Sequence, residues 1–154
     1  MEGTAIQDTY PDEAAVCYGC GRLNDHGLHL RTLWDGEETV TVYQPRPEQT
    51  GWPGGVYGGL LASIVDCASM GTAAAAVYRA EGREMGSAPD LRFATASLTV
   101  DYVAPTPMGP PLHVRCRPVE ISGRKVLVEA AVWAGDAVTV RGRVLGVRPR
   151  YAGE

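Results

Sequence analysis

From Val56 to Val77 the chain carries a single charged side chain, Asp66. After the glycine pair Gly58-Gly59, the one residue there that disfavours a helix is Gly71. Helix formers and small residues fill the remainder, so residues 58–78 are expected as one long helix. Leu60, Ile64, Cys67 and Gly71, beside Leu61, Val65, Ala68 and Ala75, recur at helical spacing and direct one side to a core. A second stripe, Gly59, Ala62, Ser63, Asp66, Met70 and Ala73, is small-residued and holds the one carboxylate. The turn-forming run Trp52-Pro53-Gly54-Gly55 precedes the helix. A glycine pair at a helix start leaves backbone N–H groups unpaired and unshielded. Such groups bind an anion or a developing oxyanion.

The flanks of this helix read as strands. Residues 28–34 alternate in polarity, Asp35-Gly36 is a two-residue hairpin turn, and residues 39–43 return. Residues 44–55 hold three prolines and three glycines and form a long loop. After a polar loop at 81–89 come four strands: 95–103, 112–121, 125–133 and 138–147. In the first of these Ala96, Leu98, Val100 and Tyr102 share one face, with Thr95, Ser97, Thr99 and Asp101 on the other. Two strands, a long helix and four strands joined by hairpin-type turns imply an α+β domain, one antiparallel sheet wrapped around one helix. Residues 1–16 are polar and unpatterned and are expected as a flexible lead-in; residues 17–150 form the single domain.

With 154 residues, 45% of them hydrophobic, the chain is long enough for one real core. A net charge of -4 argues against nucleic-acid binding. No uninterrupted apolar run approaches a membrane span, and the N-terminus is acidic where a signal peptide is basic, so a cytoplasmic protein without membrane partners is expected. Arginine is nearly the sole cation, Lys125 being the one lysine, which suits bidentate phosphate contacts. Of the four cysteines, Cys67 and Cys116 fall in apolar elements and read as small core residues. Cys17 and Cys20, with His26 and His29, have the spacing C-x2-C-x5-H-x2-H, which does not match a zinc finger. Without a strand before it, the CxxC is not a redox motif either. It reads as a compact turn pinning the N-terminal segment, and no metal is expected.

The segments CYGCG…GLHL, PGGVYGGLLASIVD, TASLTVDYVAPTP and GRKVLVEAAVW occur in this order from about Cys17 to Pro149. Together they resemble the hotdog-fold acyl-CoA thioesterases of the phenylacetate-pathway type. The resemblance implies a hotdog fold and hydrolysis of acyl-CoA thioesters without metal, coenzyme A entering as part of the substrate and no other cofactor. It further implies a homodimer or homotetramer whose sites are shared across the interface. In the family, His-Gly-Gly opens the central helix and an acidic residue lies eight positions after the first glycine; here these glycines are Gly58 and Gly59, and the acid is Asp66. The family also places a Thr or Ser seven residues before a tyrosine in the next strand, here Thr95 and Tyr102. The family histidine is Tyr57 in this chain, and an asparagine found six positions earlier in some members is Gly51. A tyrosine hydroxyl still donates a hydrogen bond, so the polarising role passes to Tyr57.

Eight residues along a helix span ~12 Å. One thioester needs its oxyanion donor ~3 Å from the carbonyl oxygen and its nucleophile about as near the carbon. Gly58 and Asp66 of one chain therefore cannot serve the same thioester, and two subunits must contribute. The expected chemistry is acyl transfer to water. The Gly58 N–H binds the carbonyl oxygen, Asp66 attacks or activates water, and Thr95 bonds to that water or to Asp66. Gly59, Arg124 and Lys125 are candidate contacts to coenzyme A, the last two to its phosphates. Two other classes compete with hydrolysis. One is a non-catalytic acyl- or acyl-CoA-binding module. The other is a hydratase, which would need a histidine beside the carboxylate.

Overall fold

The computed structural model describes residues 3–150; the first two residues of the expected lead-in lie outside them. Six strands, β1 (Thr32–Asp35), β2 (Glu38–Tyr43), β3 (Ala94–Tyr102), β4 (Leu112–Ser122), β5 (Lys125–Ala134) and β6 (Ala137–Val147), accompany one helix, α1 (Gly58–Ala80). The strands form one sheet in the order β1-β2-β4-β5-β6-β3, every neighbouring pair antiparallel. Because α1 joins β2 to β3, it carries the chain across the sheet to its far edge. The expected α+β architecture is therefore present. The hairpin turns fall where their glycines predict, Gly36 and Gly135 taking φ of 66° and 61°.

One element is shorter than its sequence pattern. Strand β1 begins at Thr32 rather than at residue 28. The amides of Leu28 and Leu30 donate to the carbonyls of Tyr18 and Gly19 instead of to a strand, and His29 takes φ 52°. The alternating leucines still face inward, Leu28 and Leu30 being buried.

Helix α1 packs chiefly against β4 and β5. Its Leu60, Leu61, Ile64 and Val65 meet Leu112, Val114, Val126, Val128, Val132, Val140 and Val144 in one buried cluster. Burial of each such side chain contributes roughly 1.5–3 kcal/mol. The two-stripe reading holds over the first half, where Gly59, Ala62, Ser63, Asp66 and Met70 are half-buried. From Gly71 to Tyr78 every residue is buried, so the second half is enclosed all round. The helix is long and apolar enough to cross a membrane, which a search for uninterrupted apolar runs does not reveal, yet most of it is buried inside the domain as a core helix.

The enclosure comes partly from the N-terminal segment, which corrects the expectation of a loose lead-in. Ala5 and Ile6 are fully buried. Gln7 donates to Thr32 Oγ1 at 3.0 Å and accepts the Thr32 amide at 2.8 Å. Gly71 makes the room: a Cβ there would lie 2.7 Å from Gln7 Nε2. Polar composition concealed this because the segment contributes one large apolar side chain and a glutamine that pairs with backbone. Replacing Ile6 by Ala is expected to cost about 2–4 kcal/mol, the usual range for a buried aliphatic, measured by urea denaturation. A neutral substitution would mean that the segment does not hold the fold.

Candidate functional site

Two clusters lie along α1, one at its start and one two turns on. At the start, the Val56 amide donates to the Thr106 carbonyl and the Tyr57 amide to the Gln49 carbonyl, both at 2.9 Å. These bonds fix the entry of the chain and leave the amides of Gly58 and Gly59 in the unpaired first turn. Tyr102 Oη donates to the Gly58 carbonyl at 2.7 Å. The exposed Tyr57 ring lies over Gly59, where a Cβ would come within 2.5 Å of its carbons. Beside this start runs a groove of about 480 Å³, lined by Trp52, Val56, Leu61, Tyr102 and Val103, with Gly58 at its wall. Apart from Gly58, its named walls are aromatic and aliphatic. By sequence pattern Trp52 reads as part of a turn and Val103 as the last residue of a strand that in fact ends at Tyr102, so neither stands out as a groove wall.

Further along, half-buried Asp66 accepts a hydrogen bond from the Thr95 hydroxyl on its Oδ1. Strict alternation put Thr95 and Tyr102 on opposite faces of β3, yet both reach α1. The reason is a bulge: Thr95 pairs with Gly146 and Ser97 with Leu145, so Ala96 is an extra residue. It inverts the alternation and brings Thr95 to the face that carries Tyr102. Strand β3 is a sheet edge, and all its residues except Val100 are exposed. Leu98 and Tyr102 are 39% and 54% exposed, an apolar edge of the kind that ordinarily has a partner.

The groove beside Asp66, about 310 Å³, also holds Thr95, Tyr10, Arg92 and three cysteines, Cys17, Cys20 and Cys67. Their sulfurs all lie within 4.8 Å of one another, with Cys17 and Cys67 at 3.9 Å. Cys67 is thus not the plain core residue expected, whereas Cys116 is fully buried as expected. Hydrogen bonds from the Cys20 and Cys67 thiols hold Cys17 far below the ordinary thiol range. The same contact with Cys17 pushes Cys20 up to about 12 and raises Cys67 as well. Burial raises Tyr10, reinforced by the thiols beside it. Neither His26 nor His29 joins the cluster; the His29 ring bonds the Asn24 carbonyl at 2.6 Å.

Of the residues singled out in the sequence, the fold brings Tyr57, Gly58 and Gly59 together at the helix start, and Asp66 to Thr95. Arg124 and Lys125 line neither groove, and Arg124 donates to the Arg148 carbonyl at 2.7 Å. Arg92, which has no motif around it, is the cation beside Asp66, paired with Asp90 at 2.9 Å.

A family model described as the thioesterase superfamily matches residues 53–141, more than half the chain. The chain belongs to the thioesterase superfamily. It is similar to a thioesterase superfamily protein of known structure from Shewanella loihica PV-4, with 39% identity over 82% of this chain and 96% of that one, at TM-score 0.67. It is 34% identical over 97 residues to the acyl-coenzyme A thioesterase THEM4 of Xenopus laevis, a match covering 63% of this chain. The chain spans only 38% of that relative's length. A phenylacetic acid degradation-related protein from Ralstonia eutropha JMP134 shares the hotdog fold at TM-score 0.62, with 15% identity over 78% of this chain and 85% of that one.

The contact between Tyr57 and Gly59 is testable without an assay. Gly59→Ala is expected to destabilise by about 1 kcal/mol, since the added methyl meets the ring. In a Tyr57→Ala background the same change should instead stabilise by up to ~1 kcal/mol, alanine being the better helix former. Thermal denaturation of the four proteins reads the cycle, and equal effects in both backgrounds would place the ring elsewhere.

Proposed function

We propose that this chain hydrolyses acyl-CoA thioesters with Asp66 as the catalytic carboxylate. The observation that carries the reading is the Asp66–Thr95 pair: the one carboxylate of α1 is held by a strand hydroxyl at the wall of a groove. Family membership and the THEM4 likeness support thioester chemistry. The first-turn amides at Gly58 and Gly59 are of the kind that binds a carbonyl oxygen, and the adjoining, largely apolar groove suits an acyl chain.

In the proposed reaction the thioester oxygen accepts a hydrogen bond from the Gly58 N–H, and the Tyr57 hydroxyl takes the place of the family imidazole. Asp66 attacks the carbonyl carbon or takes a proton from the attacking water, and Thr95 orients the carboxylate. Where Asp66 acts as base, the tetrahedral intermediate collapses to the free acid as the coenzyme A thiolate departs and takes up the proton. Where Asp66 attacks, collapse leaves an acyl-aspartyl anhydride that water then hydrolyses, freeing the acid and Asp66. No step is assigned to a metal. In this reading the phosphates of coenzyme A lie with Arg124, in the turn between β4 and β5, and with Lys125, the first residue of β5.

The donor and the carboxylate sit ~12 Å apart along one helix, so the site combines Gly58 of one chain with Asp66 of a second. The exposed apolar edge of β3 supports a homodimer. A second reading, a non-catalytic acyl-CoA-binding module, is favoured by one observation, tyrosine in place of the family histidine at position 57. Turnover of an acyl-CoA panel by the purified protein separates the two.

Asp66→Asn is expected to fold normally and to lose at least about a hundredfold in kcat, a typical effect of removing an acid–base group. Unchanged kcat in a folded variant removes Asp66 from the mechanism.

The two-chain site has its own test. In Gly58→Pro the amide donor is lost at a position where proline is otherwise tolerated in a helix. Mixed with Asp66→Asn chains, each inactive alone, it should restore activity to about a quarter of the wild-type value per site. Half of randomly mixed dimers are heterodimers, and each has one intact site of two. Circular dichroism and tagged co-purification verify folding and exchange. No recovery in verified heterodimers would falsify the pairing of Gly58 and Asp66.

A further inference from the structure

We propose that Cys17, Cys20 and Cys67 form a binding site for a thiophilic divalent ion of the zinc class, which clamps the loop around residues 17–20 to the middle of α1. The inference is independent of the catalytic reading and assigns the ion no step in it.

Zinc binds thiolates at about 2.3 Å with tetrahedral angles, so two ligand sulfurs stand about 3.8 Å apart. Cys17 and Cys67 are at 3.9 Å, and all three sulfurs fall within 4.8 Å of one another. A disulfide instead needs its sulfurs at about 2.05 Å and uses only two of the three.

The loop is built onto the third thiol. Gly19, between the two loop cysteines, lies so close to α1 that a Cβ on it would come 2.5 Å from Cys67 Sγ and 2.9 Å from Cys67 Cβ. Only glycine permits that approach. The loop is held there without help from an ion: Gly21 N donates to the Cys17 carbonyl at 2.8 Å, and Leu30 N to the Gly19 carbonyl at 3.0 Å.

Placement separates this cluster from packing cysteines. Cys116 is fully buried in the core, with the Ser69 hydroxyl 3.8 Å from its sulfur and no other cysteine beside it among the described residues, whereas Cys17 is exposed and all three clustered thiols line the groove beside Asp66. The groove gives an ion an entry path and a solvent molecule for the fourth position. Binding releases the thiol protons to solvent.

The test uses the full chain, purified with reductant and without chelator. Elemental analysis should find about one zinc per chain. After replacement by Co2+, a sulfur-to-cobalt charge-transfer band should appear. Both signals should be lost in Cys17→Ser, Cys20→Ser and Cys67→Ser and kept in Cys116→Ser. Chelation should lower the melting temperature of the wild type and leave that of Cys17→Ser unchanged. The Co2+ band of the wild type needs no variant to fold. Its absence in fully reduced protein overturns the proposal, as does a band that survives in folded Cys17→Ser. A protein isolated with an oxidised Cys17–Cys20 pair, and binding no Co2+ after reduction, overturns it in favour of a redox pair.

Discussion

The close seating of α1 in the sheet is the constraint on which the rest depends. A Cβ on Gly142 of β6 would lie 2.5 Å from Val65, and one on Gly146 would lie 3.0 Å from Met70. The sheet therefore gives up side chains where the helix crosses β6, and the helix gives up one at Gly71 for the N-terminal segment. Interior packing leaves few voids, so these missing side chains set the depth of the helix. That depth brings the middle of α1 within hydrogen-bond reach of β3 and of the loop around Cys17.

A helix so enclosed has few positions at which a charge survives. Asp66 lies on the half-buried side of the first half, before the enclosure becomes complete at Gly71. Thr95 supplies the carboxylate with a partner, which a partly buried charge requires. At the other end, Tyr102 bonds the Gly58 carbonyl. One edge strand thus touches both clusters of the helix, and the unpaired side of that strand remains open.

The architecture was legible because most elements kept their own period, β1 and the bulged β3 being the departures. The helix showed as a long span with one charge, the strands as alternation, and the turns as Asp-Gly or Gly-Asp and Ser-Gly pairs. The fold did bring Asp66 and Thr95 together, as their resemblance to a known motif implied. Local patterning could not show three things. The bulge at Ala96 leaves no mark in an alternating strand. The burial of Ile6 depends on a glycine 65 positions away, and a composition window does not see that pairing. Cys67 read as a core residue because its place on the helix is apolar; its neighbours Cys17 and Cys20 come from a loop whose path is set by hydrogen bonds rather than by hydrophobic period.

The bulge has a consequence for parity. Thr95 and Tyr102 are separated by an odd number of positions, and an unbroken strand would turn them to opposite sides. One extra residue converts that odd interval into an even one, so the two hydroxyls address the same helix. Lengthening or shortening β3 by one residue between them would therefore turn one hydroxyl away while the other stayed. Insertions in the loop at 81–89 carry no such penalty. In lineages that descend from this chain, length in β3 should be held more tightly than residue identity, because there the count of residues, rather than any single side chain, decides what the strand presents.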